Sequence, residues 1–358
     1  MKNMPRITVL MPVHNGERYL KNCIESILNQ TFKDFEFLVV DDGSTDTTRD
    51  IINSYKDDRI NLVKNERNLG LVASLNIGLE NSRGEYIARI DADDIALPHR
   101  LTRQFDFLEN RHDTALIGSW GEAIKENGDR ISISRLPVKK EEIAATVLFG
   151  EFIMIHSSFM YRKKIIVDAG KYSKVFYLCE DYKLVTDLLL SGYGVNNIPE
   201  VLVKYRIHDD RISVRNSGPQ LKMYLIVVKE FIQNFTGGFS DLDQNLLFNF
   251  LISTGAMNKR YWENVPSVKG SVRRIIELSN SLLANIANYF KLDKGQTYRM
   301  KRQFYNKILN FAYQASCIKR YASLELYLWC LRNSLFVLTK PKVYAYPLAV
   351  AFSCLKKR

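Results

Sequence analysis

The sequence predicts an α/β protein, with a mostly parallel sheet and flanking helices over residues 1–215 and an all-helical region over residues 216–358. Three observations carry that expectation. Short apolar runs alternate with amphipathic stretches through the first 120 residues, the βαβ pattern of a parallel sheet. The first strands run out into polar or acidic residues, as strands do at the ligand edge of an open sheet. Beyond Ser217-Gly218-Pro219 only helical periodicity persists.

The elements follow in order. Ile7 to Val13 is a continuous apolar run ending at His14-Asn15, and Leu20, Ile24, Ile27 and Leu28 then mark one face of a helix. Residues 35–40 form a second strand that ends in Asp41-Asp42-Gly43-Ser44-Thr45-Asp46, whose last residues are natural N-caps for the next helix. A third strand spans 60–63, and Leu71, Leu75 and Leu79 mark a helix that stops near Gly84. Residues 86–90 form a fourth strand, ending in Asp91-Ala92-Asp93-Asp94. Pro98 opens a helix, residues 115–119 return to strand, and Asn127-Gly128 signals a hairpin turn. Residues 141–149 read as helical, 152–161 as extended, 181–190 as helical and 201–207 as a final strand.

With 46% hydrophobic and 25% charged residues, the 358-residue chain is not disordered, and its length suits two units. No run of 18 or more apolar residues occurs, which argues against a spanning helix. The first apolar run meets His14, Asn15 and Glu17 at once, so it reads as a buried strand and not as a signal peptide. Five cysteines without a CxxC pair point to reduced thiols and a cytoplasmic protein. The net charge of +12 is unevenly placed: residues 1–215 hold 30 Lys and Arg against 32 Asp and Glu, and residues 216–358 hold 21 against 7. Such a basic C-terminal region suggests an anionic partner, membrane lipid or nucleic acid.

Asp91 and Asp93 are two residues apart, so in extended backbone both side chains point to one side. Two carboxylates at a sheet edge form a hard-oxygen site suited to Mg²⁺ or Mn²⁺ carried with phosphate oxygens. An isolated D-x-D more often caps a helix. Here it keeps company with Pro12-Val13-His14-Asn15, Gln30-Thr31-Phe32, Val39-Val40-Asp41-Asp42-Gly43-Ser44, Asn65-Glu66-Arg67-Asn68-Leu69-Gly70, Gly84-Glu85-Tyr86-Ile87 and Glu180-Asp181. In kind, order and spacing this set closely resembles glycosyltransferase family 2, inverting enzymes with the Rossmann-like GT-A nucleotide-sugar fold. The resemblance covers residues 5–215 and does not reach the C-terminal region.

The resemblance implies a role for each matching residue. Asp42 would accept a hydrogen bond from the imide N–H of uracil or thymine, and Pro12, His14 and Asn15 would line the base and ribose pocket. Arg67 would lie near the base or diphosphate. Asp91, with Ala92 beside it, would face the ribose or a metal-bound water, and Asp93 would ligate the metal. Asp181 would be the catalytic base, with Glu180 the next candidate. Tyr205-Arg206-Ile207-His208 matches a YRxH segment of the family, so His208 would ligate the metal or touch the diphosphate. The chemistry is coherent: inversion needs one base opposite the leaving group, and a divalent ion on the diphosphate removes the need for an acid. The bland readings are a helix N-terminal acidic pair at Glu180-Asp181, a core histidine at His156 and packing for Cys179.

The C-terminal region interleaves Arg273-Arg274, Arg299-Met300-Lys301-Arg302, Lys319-Arg320 and Lys356-Lys357-Arg358 with aromatics that include Tyr305, Trp329 and Phe336. Such helices suit an anionic membrane surface, which fits a lipid-linked saccharide acceptor and a position on the inner face of the cell membrane. The plain alternative is a helical domain with a solvated basic face, serving homo-oligomer contacts. Nucleic acid is disfavoured because no reader motif is present. The leading expectation is therefore a transferase that moves sugar from a UDP-sugar, or a dTDP-sugar, to a growing surface polysaccharide or glycan. Two alternatives stay open, a sugar nucleotidyltransferase and a catalytically inactive nucleotide-sugar-binding protein. The first strand lacks the Gly-rich basic loop of the former. GxGxxG and GxxxxGK[ST] are absent, which disfavours dinucleotide oxidoreductases and P-loop NTPases.

Overall fold

The computed structural model describes residues 4–209, 217–254 and 272–315. The basic tail from Lys319 onward lies outside the described residues, with Trp329, Phe336 and the Lys340-Pro341-Lys342 step. The chain divides into two compact units, Met1–Lys140 with Phe152–Tyr224, and Glu141–Glu151 with Leu225–Arg358.

The first unit is built on one mixed sheet. Strands β1 (Ile7–Val13), β2 (Phe35–Asp41), β3 (Ile60–Lys64) and β4 (Tyr86–Arg89) pair in parallel in the order β3-β2-β1-β4. Every residue of β1, β2 and β4 is buried, which explains their unbroken apolar runs: strands covered by helices on both faces have no solvent side to alternate with. Helix α1 (Leu20–Leu28) buries Leu20, Cys23, Ile24 and Ile27, and α2 (Thr48–Ser54) and α3 (Leu71–Asn81) complete the crossovers. Strand order reverses at β1, with β2 on one side and β4 on the other. That is where an open α/β sheet forms a crevice at its strand ends.

Beyond β4 the sheet departs from the parallel pattern. A two-residue β5 (Ile95–Ala96) precedes α4 (Arg100–Glu109), β6 (Thr114–Ile124) and β7 (Arg130–Ser134). Strand β8 (Met160–Arg162) is antiparallel to both β4 and β6, and the long β9 (Gly194–Arg206) runs parallel to β6 and antiparallel to β5. The Asn127-Gly128 hairpin joins β6 to β7, with Gly128 at φ +92°. Two local expectations change. Residues 152–161 are not one extended run; they make a short 3₁₀ turn, His156–Ser158, before β8, because Ser158 Oγ donates to the Ile155 carbonyl at 2.7 Å and accepts from Ser119 N–H at 3.0 Å. Ser44 does not cap α2: its Oγ accepts from the Asn15 N–H at 3.0 Å, and Asp46 accepts from Thr48 N–H instead. The remaining helices of this unit are α6 (Lys163–Asp168) and α7 (Glu180–Leu190).

The second unit contains the helices α9 (Asp241–Thr254), α10 (Val272–Tyr289) and α11 (Lys294–Ala315), and the division from the first unit falls within α8 (Ser217–Gln233). It also claims the segment 141–151, most of which lies in α5 (Lys140–Val147). Arg299 Nε donates to Glu141 at 2.6 Å, Gln303 donates to Thr146 Oγ1 at 3.0 Å, Lys307 pairs with Glu151, and the Phe149 and Phe304 rings lie 5.2 Å apart. A sequence boundary at 215 misses this segment because nothing local in 141–151 marks its partners. Leu247, Leu251, Leu282, Leu283, Met300 and Phe304 are fully buried in this unit. No helix among the described residues is long and apolar enough to cross a membrane. Cys23 and Cys179 are buried cysteines.

Candidate active site

A pocket of about 190 Å³ in the first unit gathers the acidic candidates: Asp91, Asp93 and Asp94 from the loop after β4, and Glu180 and Asp181 from the start of α7. Arg89, His156, Tyr177 and Gln220 also line it. Carboxylate oxygens of Asp91, Asp93 and Asp94 come within 4.8 Å of one another.

The end of β9 ties this loop down. Arg206, 3% exposed, donates from its backbone N–H to Asp94 Oδ1 at 2.8 Å and from Nε to the Asp93 carbonyl at 3.0 Å. Its Nη1 reaches the Lys125 and Glu126 carbonyls, and its guanidinium sits 4.4 Å over the Tyr19 ring. Two residues on, His208 Nε2 lies 2.9 Å from Asp93 Oδ2, and its Nδ1 is buried without a partner among the described residues. The sequence match at Tyr205-Arg206-Ile207-His208 thus resolves into an anchor, Arg206, and a side chain aimed at Asp93.

These residues fit a divalent cation. Octahedral ligands at 2.0–2.1 Å from Mg²⁺ stand about 3 Å from their neighbours, which is the spacing of Asp93 Oδ2 and His208 Nε2. A carboxylate with an imidazole also suits Mn²⁺. Asp94 is turned inward: burial, reinforced by the charges of Asp93 and Asp91, raises its carboxyl well above the usual range, and Ser157 Oγ bonds it. Asp91 pairs with the buried Arg89 and with Ser157.

In the same pocket, Glu180 and Asp181 sit in the first turn of α7. Burial and then the neighbouring Asp181 push Glu180 up, and burial raises Asp181. Desolvation therefore outweighs the helix dipole, so both carboxyls are more basic than exposed ones. Asp181 Oδ1 accepts from the Tyr182 N–H at 2.7 Å, and its side chain is partly exposed, whereas Glu180 is 6% exposed. His156 stands behind Glu180, with Nδ1 3.7 Å from Oε1 and Nε2 3.2 Å from the Tyr172 hydroxyl. Burial and then Arg89 lower its pKa well below the ordinary value, so it is neutral.

The base-pocket candidates do not line this pocket; they sit at the ends of β1 and β2 and in the loop after β3. Asp42, 4% exposed, holds that loop: Oδ1 accepts from Asn65 Nδ2 at 2.8 Å and Leu69 N–H at 2.9 Å, and Oδ2 accepts from Gly70 N–H at 2.8 Å. One acceptor position on Oδ2 is left for another donor. Gly43, at φ +71°, lets the loop close: a Cβ there would lie 2.5 Å from the Arg67 carbonyl carbon. His14 Nδ1 lies 2.9 Å from the Asp42 carbonyl, and Asn15 Oδ1 accepts from Thr45 N–H at 2.8 Å, its own φ being +50°. His14, Asn15 and Arg67 are exposed, Pro12 is buried within β1, and Ala92 is half-buried near Gly16.

Sequence reasoning missed Arg89, Ser157 and Asp94 as parts of the site. Arg89 had a signal, because a lone charge inside an apolar strand must find a partner. Ser157 had none.

Comparison with known proteins gives the family and the fold. A family model described as glycosyl transferase family 2 matches residues 8–169. The chain is 41% identical over 207 residues to an uncharacterized glycosyltransferase of Methanocaldococcus jannaschii, covering 57% of this chain and 71% of that protein. It is 41% identical over 221 residues to EpsE of Bacillus subtilis, named as a glycosyltransferase, covering 60% and 78%. It is 31% identical over 219 residues to the amylovoran biosynthesis glycosyltransferase AmsE of Erwinia amylovora, covering 60% and 81%. Among solved structures, S. aureus TarS 1–349 in complex with UDP superposes with a TM-score of 0.52 at 16% identity, covering 96% of this chain and 92% of that one. That likeness bears on the fold, which is GT-A.

Proposed function

The chain belongs to glycosyl transferase family 2, and from that premise we propose that it is a metal-dependent inverting transferase that moves sugar from a UDP-sugar to a saccharide acceptor. One observation carries this reading: a single pocket is lined both by the acidic residues of the Asp91–Asp94 loop and by Glu180-Asp181.

Asp93 and His208 are the residues that would hold Mn²⁺ or Mg²⁺, which when bound neutralises charge on the departing diphosphate. Asp42, through its remaining acceptor position, takes the imide N–H of the base, with Pro12, His14, Asn15 and Arg67 around it. Asp91 and Ala92 lie on the ribose side. Asp181 accepts the proton of the attacking hydroxyl: it is the more accessible member of the pair, and burial has raised its basicity toward working pH. Glu180, packed against His156, supports it. UDP in the TarS complex supports a uridine donor. The name of AmsE, an amylovoran biosynthesis glycosyltransferase, supports a role in polysaccharide biosynthesis. The finer reading is a lipid-linked acceptor at an anionic membrane surface, which the basic C-terminal region supports.

Thermal-shift screening of UDP, dTDP and GDP with and without Mn²⁺, followed by a donor-hydrolysis panel, tests the reading. UDP with Mn²⁺ should stabilise most, by about 2.7 kcal/mol at a hundredfold excess over Kd. No stabilisation by any nucleotide diphosphate and no hydrolysis would favour the inactive binding protein. Pyrophosphate-coupled formation of a sugar nucleotide would favour the nucleotidyltransferase.

A further inference from the structure

Asp91 is the first carboxylate of the acidic loop, and its oxygens are already occupied from within the protein. Arg89, two residues earlier on β4 and 1% exposed, brings both terminal nitrogens to it, Nη1 to Oδ2 at 2.5 Å and Nη2 to Oδ1. Ser157 Oγ lies 2.7 Å from Oδ2. An ionised carboxylate offers about four lone-pair positions, so the guanidinium alone takes two of Asp91's, one on each oxygen. A two-pronged guanidinium contact is also the strongest hold a carboxylate has in a protein. Asp93 differs: among the described residues its carboxylate meets His208 alone.

We propose that Arg89 is a positioning residue that holds Asp91 as an internal counter-ion, so that a divalent cation meets Asp93 and His208 as its protein ligands while the charge of Asp91 is already cancelled. The inference rests on the metal site read above and concerns how strongly that site binds. Cation affinity rises with the number of ligand charges, so cancelling the charge of Asp91 weakens the hold on a bare cation. The diphosphate then supplies the missing charge, and the cation enters with the donor. Arg89 thereby separates a cation carried on a nucleotide from the free cation in solution. Its location supports this: it is fully desolvated, where a charge acts at short range with little screening.

Electron paramagnetic resonance of Mn²⁺ titrated into the full chain, with and without UDP, reads this without turnover. The wild-type chain should bind Mn²⁺ at least about tenfold more tightly with UDP present, because the diphosphate adds charge at short range. Arg89→Met should tighten nucleotide-free Mn²⁺ binding by about tenfold or more, since Asp91 then adds its own charge to the site. Arg89→Lys should stay near wild type. A simple folding defect would weaken binding, not tighten it. The double variant Arg89→Met/Asp91→Asn removes both charges together and should return to the wild-type value. Folded Arg89→Met with unchanged or weaker Mn²⁺ binding overturns the proposal. Should that variant not fold, the double variant decides: wild-type Mn²⁺ affinity in the absence of nucleotide supports the proposal, and weaker nucleotide-free binding makes Asp91 a ligand and overturns it. A wild-type chain that binds no Mn²⁺ even with UDP overturns the metal reading as well.

Discussion

His208 Nε2 stands 2.9 Å from Asp93 Oδ2, joining the end of β9 to the acidic loop after β4 across 115 residues of sequence. The contact depends on Arg206, which fixes the Asp93 backbone while His208 addresses its side chain. Asp93→Ala should therefore abolish Mn²⁺-dependent UDP binding, and His208→Ala should weaken it about 10–100-fold, the range seen when a metal site loses part of its support. Titration calorimetry with UDP and Mn²⁺ is the check. Wild-type affinity in Asp93→Ala removes that residue from the site.

Asp181→Asn should keep donor binding and lose transfer by about 10²–10⁴-fold, the usual contribution of a positioned base. The amide preserves shape and the bond from the Tyr182 N–H while taking away the proton-accepting oxygen. Near-wild-type turnover in this variant would move the role to Glu180.

Much of this was legible in the sequence. The strand ends at His14, Asp42 and Asp91 were readable because central parallel strands are apolar throughout and break sharply into polar residues. Asp93 and His208 were named from motifs, but their contact was not, since no local pattern sets a distance across 115 residues. Arg89 and Ser157 escaped for the same reason: their meaning lies in what they touch. The segment 141–151 joins the second unit through ion pairs to Arg299 and Lys307, which neither periodicity nor composition encodes. Asp42 reads as a ligand-facing acid in sequence, yet most of its acceptor capacity holds the loop after β3.

That loop supplies a stability test. Gly43 has φ +71°, and any Cβ would meet the Arg67 and Asn68 backbone at 2.5–2.7 Å. Gly43→Ala should cost about 1–3 kcal/mol from the left-handed backbone alone, with the clash adding to it. Urea unfolding measures the loss, and UDP affinity should fall in parallel because Asp42 loses its frame. An unchanged midpoint would show that the loop can move away freely.

The basic region predicts salt-sensitive attachment to anionic lipid, at about 1 kcal/mol per Lys or Arg near the surface. Full-length chain should co-sediment with phosphatidylserine vesicles at low salt and less so at high salt, since screening shortens the attraction. Removing residues 340–358 should reduce binding and leave donor hydrolysis intact. Equal, negligible binding to anionic and neutral vesicles would discard the membrane role and leave the helices to protein contacts.

Glu180 predicts a pH dependence of stability whose sign is opposite to that of most carboxylates. Burial, then the charge of Asp181, push its pKa from 4.5 up to about 8. The folded state thus binds this proton more tightly than the unfolded chain does. The resulting stability is fully present below about pH 4.3, where the unfolded carboxyl is also protonated, and it is lost progressively as pH rises through the folded value near 8. Glu180→Gln keeps a neutral side chain of the same shape at every pH, so it lacks this loss. The stability of the variant relative to wild type should therefore climb between pH 5 and pH 8.5 and level off above that. Urea unfolding of both proteins across this range gives the difference directly. A flat difference would mean that Glu180 is ionised in the folded protein throughout, with a bound cation compensating its burial.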